Sequence, residues 1–116
     1  MPALNFQKQF ADKVERGEKR QTIRSLRKNP VKVGDKIYLY TGQRTSSCRK
    51  LGDVICREIV DITISGHGAV VVNDKPLDDK EKHEMAIADG FETWPDMLQW
   101  FRNQHGFSFE GQIIRW

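Results

Sequence analysis

Residues 17–24 read Gly-Glu-Lys-Arg-Gln-Thr-Ile-Arg, and the rest of the chain must fold around this stretch. If a strand runs over residues 21–26, its side chains alternate between two faces. Thr22 and Arg24 then share one face, while Ile23 points the other way, into a core. A hydroxyl among bases on one strand face predicts a cationic pocket, although the composition also fits a solvated basic strand with one surface threonine.

Lys19 can join this pocket only through a bend in the chain. It lies three residues before Thr22, which is the wrong parity for the same face of a regular strand. Gly17 supplies the freedom for a bend, because glycine adopts backbone conformations that other residues avoid. We therefore expect Lys19, Thr22 and Arg24 at the mouth of a turn, in a segment where five of the ten residues from 19 to 28 are basic.

Length and composition bound the class of protein. The 116 residues predict a single domain over residues 1–116 with one core. The chain has no apolar run of membrane-spanning length, and residues 1–20 are too polar for a signal peptide, so we expect a cytoplasmic monomer without a membrane partner. Cys48 and Cys56 form no CxxC pattern, and the histidines show no ligand spacing. We expect no disulfide, no metal site and no cofactor.

The distribution of charge says more than the net charge of +3. Residues 1–50 carry thirteen lysines and arginines against four acids, whereas residues 74–96 carry eight acids against three bases. A basic half favours a polyanionic partner. With a pI near 9.0, this pattern predicts RNA or a nucleotide as the partner.

A polar loop over residues 41–50 adds candidate contacts for such a partner. It holds three bases and several hydroxyl groups. Phosphate contacts require only lysine, arginine or other polar side chains, so these residues can serve beside a basic pocket. The candidate substrate- or RNA-binding residues are Arg20, Arg24, Gln43, Arg44, Arg49 and Lys50.

Hydrophobic periodicity and turn residues predict an α+β fold with mostly antiparallel strands. Apolar residues at four-residue spacing, as in Phe6, Phe10 and Val14, favour helices, whereas β-branched alternation favours strands. The predicted helices cover residues 7–16, 78–88 and 93–105. The predicted strands cover residues 4–6, 21–26, 36–40, 51–64, 69–72 and 107–116. This pattern does not distinguish an open sheet from a barrel.

Three landmarks in this order resemble the ASCH domain family, small proteins related to the PUA-type RNA-binding barrels. They are Gly17-x-Lys19-x-x-Thr22-x-Arg24, then Gly34-Asp35 before an apolar strand, then Ala88-Asp89-Gly90-Phe91-Glu92-Thr93 before a helix. The resemblance runs from about Phe6 to the C terminus. It implies a single ASCH-like domain, folded as a small PUA-like β-barrel of five to six mostly antiparallel strands with about three helices.

The resemblance also implies an activity. ASCH relatives include an amidohydrolase that removes the acetyl group from acetylated cytidine, and others reported to cleave single-stranded RNA. The amidohydrolases use a lysine, a threonine and a glutamate, which by position match Lys19, Thr22 and Asp89. The implied function is an RNA- or nucleotide-associated domain that hydrolyses an amide on a modified cytidine. The alternatives are a non-catalytic single-stranded RNA-binding module and a ribonuclease that uses the same cleft.

The chemistry of these three side chains is coherent, but their individual roles stay open. Threonine is a poor nucleophile unless a base takes its proton, and lysine can be that base only with a lowered pKa. Burial and the neighbouring Arg20 and Arg24 would lower the lysine pKa, whereas pairing with Asp89 would raise it. The carboxylate would then orient the lysine or handle the proton or water itself. Asp89 is also one methylene shorter than the family's glutamate, and a misplacement of roughly an ångström can cost on the order of a hundredfold in rate.

Overall fold

The structure, a computed structural model, describes residues 2–116. These residues form an α+β fold of three helices and eight strands. The helices are α1 (Lys8–Glu15), α2 (Asp79–Ala88) and α3 (Trp94–Gln104). The strands are β1 (Ala3–Phe6), β2 (Gln21–Arg24), β3 (Lys36–Thr41), β4 (Arg49–Ile55), β5 (Glu58–Ile64), β6 (Val70–Val72), β7 (Lys75–Pro76) and β8 (Phe109–Arg115). The predicted fold class and the three predicted helices are confirmed.

The strands form two sheets rather than one closed barrel. One sheet has the order β1-β3-β4, and the other has the order β2-β8-β5-β6-β7. β1 pairs with β3 in parallel, and the remaining pairs of these sheets are antiparallel, as expected. The expected strand number of five to six and the expected closure into a barrel are wrong.

A break in the predicted strand over residues 51–64 separates the two sheets. At this point the backbone changes partner: the Cys56 N–H donates to the Asp35 carbonyl at 2.8 Å, and the Arg57 N–H donates to the Arg115 carbonyl at 2.9 Å. β4 therefore pairs with β3 in the first sheet, while β5 pairs with β8 in the second. Because β-branched residues occur on both sides of the break, periodicity does not mark it. The short β7 is the other strand that the pattern misses.

One hydrophobic core lies between the sheets and the helices. The predicted stripe of Phe6, Phe10 and Val14 is buried in it, and Met97 and Phe101 of α3 are completely excluded from solvent. Within residues 2–116, the helices are all too short or too polar to cross a membrane. The core holds α1 and α3 against the sheets, and the candidate site lies where these elements meet.

The end of α1 makes the bend that the sequence predicts before β2. Gly17 has a left-handed backbone conformation, with φ of 78°. Its N–H donates to the Val14 carbonyl and the Glu18 N–H donates to the Lys13 carbonyl, which are the two bonds of a Schellman motif. The N–H of Lys19 also donates to the Lys13 carbonyl, at 3.0 Å. The turn thus places Lys19 directly ahead of β2.

Side-chain caps set the starts of α2 and α3. Thr93 caps α3 as expected, because its Oγ1 accepts a hydrogen bond from the Asp96 N–H at 3.2 Å. α2 begins with a capping box, in which the side chains of Asp78 and Glu81 each accept from the other's N–H. Thr93 ends the short connection that follows α2, and Asp89, the C-cap of α2, lies at its start.

Candidate active site

A cavity of about 290 Å³ is bordered by α1, β2, the end of β1 and the C-terminal end of α3. Its aromatic lining comes from Phe6, Phe10, Trp100 and His105. Its polar lining comes from Asn5, Gln7, Lys19, Thr22, Arg24 and Asp89. The structure thus brings together the three residues to which the resemblance gives catalytic roles, although Lys19 and Asp89 are 70 residues apart in the chain.

The Lys19 amine is held at the bottom of this cavity by oxygen atoms of one residue. Lys19 is only 3% exposed. Its Nζ lies 3.1 Å from Asp89 Oδ1 and also donates a hydrogen bond to the Asp89 backbone carbonyl. The amine lies 5.9 Å and 5.2 Å from the ring centroids of Phe6 and Phe10, within the range of cation–π attraction. The lysine is therefore fixed by an ion pair, a carbonyl and two rings.

The end of α2 presents Asp89 to this lysine. Asp89 is the C-cap, and the N–H groups of Gly90 and Phe91 donate back to the last turn in a second Schellman motif. Gly90 has φ of 96°, and a Cβ at this position would lie only 3.1 Å from Lys19 Cδ. The C-terminal end of a helix favours cations, and α2 has no base in its own last turn. Lys19 and Lys13 supply the charge, the latter by donating to the Gly90 carbonyl at 3.1 Å.

Burial changes the acid–base behaviour of the Lys19–Asp89 pair. Burial raises the pKa of Asp89 above its ordinary value, and contacts with Lys19, Gln21 and Arg24 oppose that rise. Burial lowers the pKa of Lys19, the Asp89 carboxylate opposes this, and Arg24 and Lys13 add to the lowering. Both shifts favour the uncharged forms, because the two charges of the ion pair are costly in the interior.

Thr22 and Arg24 lie side by side on β2, as their alternation predicts. Arg24 Nε donates to Thr22 Oγ1 at 2.9 Å, and the same guanidinium donates to the Asn5 carbonyl at 2.7 Å. The guanidinium also lies over the Phe6 ring, 5.0 Å from its centroid. β8 approaches this point closely, because a Cβ on Gly111 would lie 2.2 Å from the Arg24 carbonyl oxygen. The contacts leave the threonine hydroxyl proton available, while a cation polarises its oxygen.

The aromatic lining was not expected from the sequence. Trp100 packs edge-on against Phe10 at 5.9 Å, and its Nε1 donates to Gln7 Oε1 at 3.2 Å. His105 ends α3, and burial together with the Arg24 charge lowers its pKa. The apolar stripe of α3 predicts core packing for its large residues. Trp100 lies off that stripe, so its position on the helix was the sequence signal for a role other than core packing.

Arg24 is the one predicted substrate- or RNA-binding residue that lines this cavity. The others lie outside it: Arg20, Gln43, Arg44, Arg49 and Lys50. Two of their charges are already paired, since Arg49 bonds to Glu15 at 2.7 Å and Lys50 bonds to Asp53 at 2.8 Å. Glu15 is 34 residues from Arg49, so the local composition of the loop does not reveal this pairing.

Gln21 is a site residue that sequence reasoning missed. Its parity places it with the core-facing Ile23 rather than with Thr22 and Arg24. The side chain is 5% exposed, and its Nε2 lies 3.4 Å from Asp89 Oδ1. A polar residue at an inward-facing strand position was the signal that could have identified it.

Comparisons with protein-family models, with curated proteins and with solved structures found no match. In the part of the chain that the structure describes, no group of three or more His, Cys, Asp or Glu side chains could hold a metal ion. The assignment of chemistry to the cavity therefore depends on the geometry of its own side chains and on the motifs that contain them.

Proposed function

We propose that the protein is an amidohydrolase for a small acylated heterocycle, with acetylated cytidine as the candidate substrate. The observation that carries this proposal is the solvent-shielded Lys19–Asp89 pair in the same cavity as the Thr22 hydroxyl. A charged pair taken out of water is costly, and strongly perturbed pKa values in a cleft are typical of functional sites. The ASCH-like motifs support the proposal independently, because the same three positions match that family's catalytic residues.

Thr22 is the nucleophile in this proposal. The hydrogen bond that Arg24 Nε donates to Thr22 Oγ1 stabilises negative charge as it develops on the oxygen. The hydroxyl proton must pass to a base before the oxygen can attack an amide carbonyl. Lys19 lines the same cavity and matches the lysine of the ASCH-like motif, so we assign it this role.

Lys19 can act as this base when its amine is uncharged, which burial favours. Asp89 takes up or releases the proton that the lysine exchanges, at a separation of 3.1 Å. Among the hydrogen bonds of residues 2–116, none joins Lys19 Nζ to Thr22 Oγ1. Catalytic hydrogen bonds often close only in the substrate complex, so this spacing is compatible with proton transfer on binding.

The reaction then proceeds in two balanced steps. Thr22 Oγ bonds to the acyl carbon, the carbon–nitrogen bond breaks, and the threonine proton reaches the leaving amine through Lys19. A water molecule next attacks the ester, returns one proton to Thr22 through the same lysine, and releases the acyl group as a carboxylic acid.

The cavity suits a small planar substrate. Its volume of about 290 Å³ is close to the lower end for small-molecule sites, and four of its lining residues have aromatic rings that can stack on a base. The ion pairs of Arg49 and Lys50 reduce the positive charge that a polynucleotide backbone would meet nearby. These features favour a nucleoside over an RNA chain.

Membership of the ASCH family and a cytoplasmic location are parts of the same proposal. The support for family membership is the order of the three sequence landmarks, together with the placement of Lys19, Thr22 and Asp89 in one cavity. A PUA-like relationship would require that the closed barrel has opened into two sheets at the break after β4.

The test is the release of acetate from acetylated cytidine by the purified protein and three variants. Thr22→Ala and Lys19→Met should each lower kcat by roughly a thousandfold or more, because each removes a group that acts as a unit with the other. Arg27→Ala is the matched control, since Arg27 is exposed and lies outside the cavity, and it should retain full activity. Rapidly quenched wild-type enzyme should carry an acetyl group on the peptide that contains Thr22. A wild-type protein without turnover, or an active Thr22→Ala variant, would overturn the proposal.

A further inference from the structure

Gln21 connects the buried carboxylate to the surface of the second sheet. Its Nε2 donates to Asp89 Oδ1 at 3.4 Å, and its Oε1 accepts from Arg115 Nε at 3.3 Å. Arg115 in turn donates through NH1 to Glu58 at 2.7 Å. These residues lie in register on three adjacent strands, with Gln21 opposite Arg115 and Arg115 opposite Glu58. A row of side chains therefore runs across β2, β8 and β5 and ends on Asp89.

Arg115 determines which way the Gln21 amide points. A guanidinium only donates hydrogen bonds, so the atom of Gln21 that faces it must be the amide oxygen. The amide NH₂ must then face Asp89, and an NH₂ group only donates. The Asp89 oxygen at this position therefore accepts, which the ionised carboxylate does with both of its oxygens. A neutral Asp89 would carry an O–H group that needs an acceptor, and the Gln21 amide in this orientation offers it none, whereas the carboxylate only accepts.

We propose that Gln21 is a positioning residue that directs Asp89 toward Lys19 and favours its ionised form, and that Arg115 sets the orientation of the Gln21 amide. The inference deepens the proposed function and rests on it only for the kinetic measurement. Gln21 does not line the cavity that holds the Thr22 hydroxyl, and it acts on the reaction only through its contact with Asp89.

Asp89 has other charged and titratable neighbours, and each enters the outcome. Lys19 contacts it directly from the turn before β2, and Arg24 acts on it from β2. Lys13 of α1 bonds the adjacent Gly90 carbonyl. His105 lines the same cavity from the end of α3, and burial lowers its pKa. Lys19 and Arg24 favour the carboxylate in the wild type and in the Gln21 variants alike, so a change in the Asp89 pKa on substitution of Gln21 reports the loss of the Gln21 contact.

The test compares two substitutions of nearly the same size. Gln21→Leu removes the donor, and Gln21→Glu keeps the shape but places an acceptor against Asp89. The carboxyl carbon of Asp89 is followed by NMR as the pH is varied. Its pKa should move upward in Gln21→Leu and further upward in Gln21→Glu, because a second carboxylate adds repulsion. The acid limb of kcat should move in the same direction, with a loss of about tenfold at the wild-type optimum.

Controls separate positioning from packing. Gln112→Leu changes a glutamine on the neighbouring β8 that does not line the cavity, and it should leave both the titration and the activity unchanged. Arg115→Leu frees the amide to rotate and should raise the Asp89 pKa less than Gln21→Leu does. If Gln21 serves only to fill space, the isosteric Gln21→Glu should behave as the wild type, and that result would overturn the inference.

The NMR titration of Asp89 decides the role of Gln21 even if one variant does not fold or the wild type has no turnover. If Gln21→Leu fails to fold, Gln21→Glu is tested instead, by following the same NMR signal of the Asp89 carboxyl carbon. If the wild type has no turnover on acetylated cytidine, the proposed function is wrong while the Asp89 titration still decides the role of Gln21. An Asp89 pKa that is the same in wild type and in the folded Gln21 variants would refute the inference.

Discussion

Two lysine–aspartate ion pairs in this molecule have similar lengths, but one is exposed and the other is buried, and the pKa values of their lysines shift in opposite directions. Lys50 lies 2.8 Å from Asp53, with 46% of its side chain exposed, and Lys19 lies 3.1 Å from Asp89, with 3% exposed. The hydrogen bond to Asp53 raises the pKa of Lys50, whereas burial lowers the pKa of Lys19 despite its partner. The surroundings of an ion pair, more than the pairing itself, therefore decide whether the pKa of its lysine is raised or lowered.

The same difference in burial gives the two pairs different effects on the stability of the fold. An exposed pair keeps most of its hydration and contributes little to stability. A buried pair loses hydration on both members, and their mutual attraction repays that loss only in part. The Lys19–Asp89 pair thus costs stability at a position where the candidate chemistry needs its perturbed acid–base behaviour.

Lys19→Met should give the largest effect on stability. The change leaves Asp89 buried without its partner, and breaking a buried pair in this way costs about 3–5 kcal/mol. The unfolding midpoint in urea measures the loss. Lys50→Met is the matched change at the exposed pair, and its midpoint should not differ measurably from that of the wild type.

The double variant Lys19→Met with Asp89→Leu sharpens the same comparison. Removing both charges also removes both desolvation penalties, so its free energy of unfolding should return to the wild-type value or exceed it. A double variant as unstable as Lys19→Met alone would show that the buried pair stabilises the fold, which contradicts the comparison.

This stability difference should depend on pH with a defined sign. Between the lowered pKa of folded Lys19 and the unfolded value of 10.5, the unfolded chain binds the extra proton, so wild-type stability rises with pH in that window. Between the unfolded value of 3.8 and the raised pKa of folded Asp89, the folded chain binds the extra proton, so stability falls as pH rises. Urea titrations at several pH values should show both slopes in the wild type and neither in the double variant.

Asp89→Glu should slow the proposed reaction rather than improve it. The aspartate already reaches Lys19 at 3.1 Å, so the shorter side chain is not too short for this site. Asp89 is 4% exposed, and an added methylene must displace its neighbours. We expect kcat to fall by about ten- to a hundredfold, as misplacement of roughly an ångström does. A faster Asp89→Glu enzyme would instead show that aspartate weakens the site.

The smallest effects are expected from the basic loop. Arg49 and Lys50 already pair with acids, so few counterions should be released from RNA on their account, and the salt dependence of binding should be shallow. Titration of a single-stranded RNA at two salt concentrations measures this. Arg49→Ala and Lys50→Ala should each change the salt slope by less than about one. Arg44→Ala should change it more, since the ion pairs found within residues 2–116 do not include Arg44. A steep wild-type slope, reduced equally by all three changes, would favour an RNA-binding groove over the nucleoside site.

Local patterns in the sequence determined a definite part of this protein. The alternation of Thr22, Ile23 and Arg24 predicted which side chains meet on β2, and the contact between Arg24 and Thr22 agrees with it. Gly17 and Gly90 predicted where two helices stop, because a Schellman turn needs a left-handed residue at that point. These features depend on residues within one or two turns of each other, so they can be inferred from the sequence alone.

Only the tertiary structure decided which charges are buried and which are paired. Lys19 and Arg49 look alike in the sequence, but one meets Asp89 inside the core and the other meets Glu15 on the surface. The break that divides residues 51–64 between two sheets depends in the same way on distant partners. Desolvation and Coulomb attraction act through space and not along the chain. The pKa values and available charges of the site are therefore properties of the folded protein.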